Sequence, residues 1–176
     1  MTSRTADQTQ LDQSSGPVYR LRLATGSDWA DIVALEMASF DHGRWSEQLW
    51  REEIAAADSD RGRLVSLIEQ VTASTPIDSQ SGPLVAVATW SWLDEVADLR
   101  RLSVHPDHRR AGLATRLLEN GCQQASQAGV QRVLLEVSAR NTAAISLYQR
   151  VGFTTIAVRP DYYGLGDDAW VMERSS

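Results

Sequence analysis

The sequence predicts one α/β domain built around a single sheet, and three observations carry that prediction. Short apolar or alternating runs of strand length recur seven times along the chain. Four further segments repeat their apolar residues at helical spacing. The order is strand, two helices, three strands, helix, strand, helix, two strands, so the two periods are mixed along one chain of 176 residues.

Val18–Leu23 alternates apolar and polar residues and reads as a half-exposed strand. Thr25 or Ser27 is then the expected N-cap of a helix, with Asp28 in its first turn and Ile32, Val33, Met37 and Phe40 at helical spacing. Asp41–Arg44 breaks that helix. Ser46 caps a second one, with Leu49, Trp50 and Ile54 on one face. Leu64–Ile68 is a short strand, and Thr72–Gly82, rich in Ser, Thr, Pro and Gln, an exposed loop. Pro83–Leu93 and Ala97–His105 are two more strands, turned at Asp94-Glu95. Leu113, Leu117, Leu118, Gly121, Cys122 and Ala125 form a stripe on a helix that Gly129 stops. The nearly all-apolar Val133–Val137 reads as a strand covered on both faces. Asn141 opens the last helix, with Ala144, Ile145, Tyr148 and Val151, before strands at Thr154–Val158 and Asp168–Glu173.

Composition narrows the function. At 43% apolar the domain has material for a core without metal or disulfide support, and a single cysteine, Cys122, excludes an internal disulfide framework and argues for a reducing cytosolic setting. The net charge of −6 speaks against a broad nucleic-acid surface, and no apolar run is long enough to span a bilayer. Residues 1–17 form a polar arm, expected to be mobile and without the apolar stretch of a secretion signal; residues 18–176 are the domain. All 17 basic residues are arginine, a bias for which genomic composition is the simplest source.

The segment Leu102–Thr115 carries the most chemistry. A strand ends near His105, a turn follows at Pro106, and Arg109-Arg110-Ala111-Gly112-Leu113-Ala114 leads into a helix. Such a turn aims backbone N–H groups outward at the positive end of a helix dipole, and Arg109, Arg110 and Arg116 add charge. It suits a pyrophosphate, or alternatively is a helix start with solvated arginines. The G-x-G-x-x-G and G-x-x-x-x-G-K-[ST] patterns are absent. His105, His108 and Cys122 form no metal or Cys/His site: the histidines are expected to face solvent and the thiol to be buried and inert.

Arg109-x-x-Gly-x-Ala114 and Asn141–Tyr148 followed by Gly152-Phe153 resemble the GCN5-related N-acetyltransferase superfamily. Trp45-Ser-Glu, Leu93-Asp-Glu, Leu135–Asn141 and Arg159-Pro-Asp-Tyr-Tyr163 are similar to the bacterial ribosomal-protein N-terminal alanine acetyltransferases. The similarity runs from about Val18 to Met172. The Thr72–Gly82 loop and His42-Gly-Arg44, where such proteins carry a Phe-Pro-like lead into Trp45, depart from it.

The resemblance implies a mostly antiparallel sheet of about seven strands flanked by four helices, with acetyl-CoA as cosubstrate and no metal. It implies that Leu102, Ser103 and Val104 line the pantetheine arm through their backbones, that the amides from Arg110 through Ala111, Gly112, Leu113 and Ala114 to Thr115 hold the pyrophosphate beside Arg109, and that Asn141 contacts the cofactor as well as capping its helix. Glu136 alternates with Leu135 and Val137 on an apolar strand, where a carboxylate is either solvated or poised as a base; the resemblance makes it the general base. Tyr148, by pattern a core tyrosine, becomes the general acid, and the Val104 N–H an oxyanion donor. Trp45, Tyr162 and Tyr163 either pack the ends of two elements or, as the resemblance implies, form an aromatic wall for the acceptor; Asp94, Glu95 and Asp98 are either a solvated hairpin or an attraction for a cationic acceptor. The implied acceptor is a protein N-terminus, that of a ribosomal protein, in the cytoplasm; the other readings are a lysine side chain, a small amine, or a silent CoA-binding module.

Overall fold

A computed structural model of the protein describes residues 17–59, 62–71 and 82–175. The expected polar arm and the Thr72–Gly82 loop lie, but for Pro17 and Gly82, outside the described residues.

The elements run β1 (Val18–Leu23), α1 (Trp29–Ser39), α2 (Glu47–Ser59), β2 (Arg63–Val71), β3 (Leu84–Leu93), β4 (Val96–Val104), α3 (Leu113–Gln127), β5 (Arg132–Ser138), α4 (Thr142–Arg150), β6 (Thr154–Arg159) and β7 (Ala169–Ser175). They form one seven-stranded sheet of order β1-β2-β3-β4-β5-β7-β6. Its neighbours are antiparallel except β4 and β5, which α3 joins in parallel. Helices α1 and α2 cover one face, where Ile32, Leu35, Trp50 and Ile54 pack on Val65, Leu67 and Val87. The other face carries the larger core, in which Leu113, Leu117, Leu118 and Ile145 meet Ala88, Trp90, Leu99, Leu135 and Met172.

Several local expectations need correction. Neither Thr25 nor Ser27 caps α1. Asp28 holds the cap position, and its carboxylate turns back to accept the Thr25 N–H at 2.7 Å and the Arg22 guanidinium. Met37 is 60% exposed, whereas its neighbour Glu36 is buried, because a stronger partner than the apolar core awaits it. Strand β5 is fully buried on one face only: Val133, Leu135 and Val137 are buried, while Leu134, Glu136 and Ser138 on the other face are half-buried. His105 and His108 do not simply face solvent; both are half-buried, their rings 5.7 Å apart, with the His108 Nδ1 3.1 Å from the Tyr19 hydroxyl. Ser46 does cap α2, accepting the Leu49 N–H, and Cys122 is buried.

One irregularity shapes the site. The β3–β4 register pairs Thr89 with Arg101 but Trp90 with Leu99, which leaves Arg100 as an extra residue on β4. Such a bulge bends its strand and sharpens the local twist. Ladder pairing between β4 and β5 stops at the same level, with Leu99 opposite Leu135. Beyond it β4 continues along β3 to Val104, and β5 continues along β7 to Ser138, so the sheet opens between them.

Candidate active site

The opening frees one edge of β4. His105 N–H bonds to Val85 O at 2.9 Å, which fixes the alternation of the strand. Odd-numbered amides in this stretch face β3, and those of Leu102 and Val104 face the edge that β5 has left. Ser103 therefore does not share that edge; its backbone is turned to Val87 on β3, and its buried hydroxyl has no hydrogen-bond partner among the described residues. The Val104 carbonyl accepts Arg109 Nε at 3.3 Å.

At the end of β4 a single 3₁₀ turn, Pro106–His108, leads into the arginine-glycine turn. Arg110 and Gly112 both adopt left-handed backbone, with φ of 69° and 77°. Alternating hand of this kind points successive amides to one side. The first helical bond of α3 is Arg116 N–H to Gly112 O, and no side chain caps the helix. The amides from Arg110 to Thr115 thus have no acceptor within the described residues, and a Cβ at Gly112 would meet nothing within 4 Å. The concavity fits an anion. The three arginines divide their work. Arg109 is drawn inward to the carbonyls of Val104 and Ser39, and Arg116 donates to Tyr19 O at 2.9 Å, so both tie the turn down. Arg110 is exposed and makes no such tie among the described residues.

Glu136 and Tyr148 approach the opening from opposite faces. Glu136 projects from the half-buried face of β5, its side chain 31% exposed and ion-paired to Arg159. Tyr148 belongs to the core on the other face, packed edge-on against Phe153. Burial, with a contribution from Tyr163, pushes its hydroxyl well above the ordinary tyrosine range, and Arg101 opposes the shift. Tyr163 and Arg101 stand on the Glu136 side, so the two faces interact electrostatically across the gap. Desolvation and the nearby Glu136 charge push Tyr163 up to about 12. They also raise the Asp98 carboxyl.

The expected aromatic wall comes together in two parts. Tyr162 and Tyr163 stack edge-on at 5.0 Å in the β6–β7 loop beside Glu136. Trp45, in the α1–α2 loop, packs 5.1 Å from Trp50, with Arg100 and Arg101 each 5.8 Å from its ring. Asn141 caps α4, its Oδ1 accepting the Ala144 N–H at 3.1 Å. Asp94 and Glu95 sit at the far end of β4, at the turn that follows β3. No group of three or more metal-ligating side chains occurs among the described residues.

Two residues here carry no motif. Glu36, 1% exposed, accepts the Trp45 N–H at 3.0 Å and pairs with Arg101, which also donates to Gly43 O and stacks 3.9 Å from the Phe40 ring. The sequence signal available was a carboxylate within the apolar face of α1. It surfaces only when Leu35 and Glu36 are both allowed to point inward.

A parallel pair thus splits at a bulge and leads into an amide-lined turn at the helix that follows, a fold and site suited to a ligand that carries an anion. The chain belongs to the acetyltransferase (GNAT) family, whose sequence model matches residues 29–153. The [ribosomal protein bS18]-alanine N-acetyltransferase of Escherichia coli K12 is 37% identical over 97 residues, which is 53% of this chain and 66% of that protein, just short of two thirds of its length. The crystal structure of the ribosomal-protein-S18-alanine N-acetyltransferase from Escherichia coli superposes with a TM-score of 0.74 at 25% identity, covering 90% of this chain and 94% of the other. A Salmonella typhimurium acetyltransferase solved with its cofactor acetyl-CoA shares the fold, with a TM-score of 0.72 at 20% identity and coverage of 89% and 93%.

Proposed function

We propose that this protein transfers the acetyl group of acetyl-CoA to the α-amino group of a protein N-terminus, and that the acceptor is the N-terminal alanine of a ribosomal protein in the cytoplasm. The observation that carries the reading is the split between β4 and β5, flanked by Glu136 on one face and Tyr148 on the other. Family membership and the E. coli relative named above support the reaction and the acceptor.

Acetyl-CoA supplies the activated acyl carbon as a thioester. The amides from Arg110 to Thr115, the Arg110 charge and the free amide of Leu102 would hold it, with Asn141 beside α4. The acceptor amine arrives protonated, and Glu136 takes that proton. The freed lone pair attacks the thioester carbonyl, forming the C–N bond. The Val104 N–H stabilises the oxygen that gains charge. As the C–S bond breaks, the attacking nitrogen gives up its second proton to solvent, and the Tyr148 hydroxyl protonates the departing thiolate and recovers its proton from solvent. A tyrosine hydroxyl is protonated at neutral pH, the form an acid requires, and burial shifts its ionisation further upward.

The test is thiol release from acetyl-CoA with free and blocked alanine-initiated peptides and with small amines. Only the free N-terminus should react. Glu136→Gln should lower turnover by about 100-fold with acetyl-CoA affinity retained. Activity confined to blocked, lysine-containing peptides overturns the N-terminal reading. Binding of acetyl-CoA without turnover on any acceptor makes the domain a silent module.

A further inference from the structure

The place where the acceptor's ammonium would meet Glu136 already holds a cation. The Arg159 guanidinium ion-pairs with Glu136 Oε1, and its carbon lies 4.2 Å from the centre of the Tyr162 ring. The same carboxylate holds the Tyr162 hydroxyl above the ordinary tyrosine range. A carboxylate oxygen on one side and an aromatic face on the other make a general ammonium site.

The guanidinium is free to leave. Its side chain is 53% exposed and pairs with no other carboxylate among the described residues. The backbone that carries it is held independently. In the β6–β7 loop Asp161 N–H bonds to Asp168 Oδ1 at 3.0 Å, and Tyr163 N–H to Asp167 O at 3.0 Å. From the end of β5, Ser138 Oγ donates to Asp167 at 2.6 Å and Arg140 Nη2 to Gly166 O at 2.7 Å. Swinging Arg159 outward breaks none of these bonds.

We propose that Arg159 is a specificity-determining residue, an internal stand-in for the acceptor's ammonium that every acceptor must displace. The inference rests on Glu136 being the group that receives the amine. It names the acceptor class more closely. An amine bringing only its charge exchanges one cation for another and gains little. A peptide N-terminus also lays its following residues against the exposed rings of Tyr162 and Tyr163, and that added contact drives Arg159 out. Arg159 thereby excludes small free amines in favour of chain termini.

The experiment compares alaninamide with a free alanine-initiated peptide on wild type, Arg159→Gln and Arg159→Lys, reading KM, kcat and alaninamide's inhibition constant against the peptide. Losing one exposed ion pair and one cation–π contact should tighten alaninamide by about five- to tenfold in Arg159→Gln and the peptide by less, so that the ratio narrows. Arg159→Lys should stay near wild type, and acetyl-CoA affinity should not move. An unchanged or weaker alaninamide constant in Arg159→Gln, with turnover reduced, overturns the proposal and leaves Arg159 as a brace for Glu136. Glu136→Gln, run in parallel, separates the two ideas. Full turnover in that variant defeats the general-base reading, whereas its loss beside an alaninamide constant unmoved in Arg159→Gln defeats only the stand-in.

Discussion

Glu36 and Arg101, 65 residues apart in the chain, form a buried ion pair that fastens α1 to the splayed half of β4. The pair does more than join two elements. Through the Trp45 N–H and Gly43 O it also sets the path of the α1–α2 loop at the mouth of the opening.

Arg101→Met should therefore destabilise the protein by about 3–5 kcal/mol, because it strands a carboxylate that is 1% exposed. Replacing both partners, Glu36→Leu with Arg101→Met, should recover most of that loss, since two apolar groups need no counter-charge. Urea midpoints of the two singles and the double measure the coupling. Simple additivity would show that the pair does not act as a unit.

Stability should also fall in alkali. Tyr148 and Tyr163 both hold their protons more tightly in the folded protein than the ordinary tyrosine value of 10.0. Above about pH 10 the unfolded chain then binds fewer protons than the native one, so the free energy of unfolding declines as pH rises. For Tyr163 the decline runs from 10.0 to about 12; for Tyr148 it continues beyond. Below about pH 9 neither tyrosine contributes a pH dependence. Denaturant midpoints across this range should slope less in Tyr148→Phe and Tyr163→Phe, and an unchanged slope would remove these tyrosines as its source.

Gly121 is the third test. A methyl group there would stand 2.1 Å from Trp90 Cε2, within a ring that is fully buried. Helix propensity alone favours alanine by about 1 kcal/mol. Overpacking against an immobile indole costs about 1–3 kcal/mol or more, so Gly121→Ala should be net destabilising and should perturb the near-ultraviolet tryptophan signal. A stabilised variant would mean that α3 can slide over β3.

The order of elements could be read from the chain because periodicity is local: the alternation at Val18–Leu23 and the stripe from Leu113 to Ala125 depend only on near neighbours. The turn of Glu136 away from buried Leu135 and Val137 was legible for the same reason. The β4 bulge was not, since Arg100-Arg101 contains neither glycine nor proline, and the extra residue exists only relative to β3. The directions of the Ser103 backbone and of the Glu36 and Arg109 side chains were not legible either, for one reason. Which way a backbone amide or a long side chain turns is settled by a partner tens of residues away. The arginine-only composition also gains a local physical use. Glu36, Glu53 and Glu69 are buried carboxylates, and each is met by one or more guanidiniums. A planar fork can serve two acceptors at once, as Arg22 does for Asp28 and Glu69.

The early end of the β4–β5 ladder has a mechanical meaning. Four strands on one side and three on the other behave as two plates stitched along a seam that runs only from Val96 to Leu99 on β4 and from Arg132 to Leu135 on β5. Everything outside the seam is free to flex without breaking a ladder bond between the plates. The width of the cleft is thus governed by one inserted residue, Arg100, the stitch that was skipped. Without it the zipper would run on toward Val104 and Ser138, and a continuous sheet would stand where the protein has a slot.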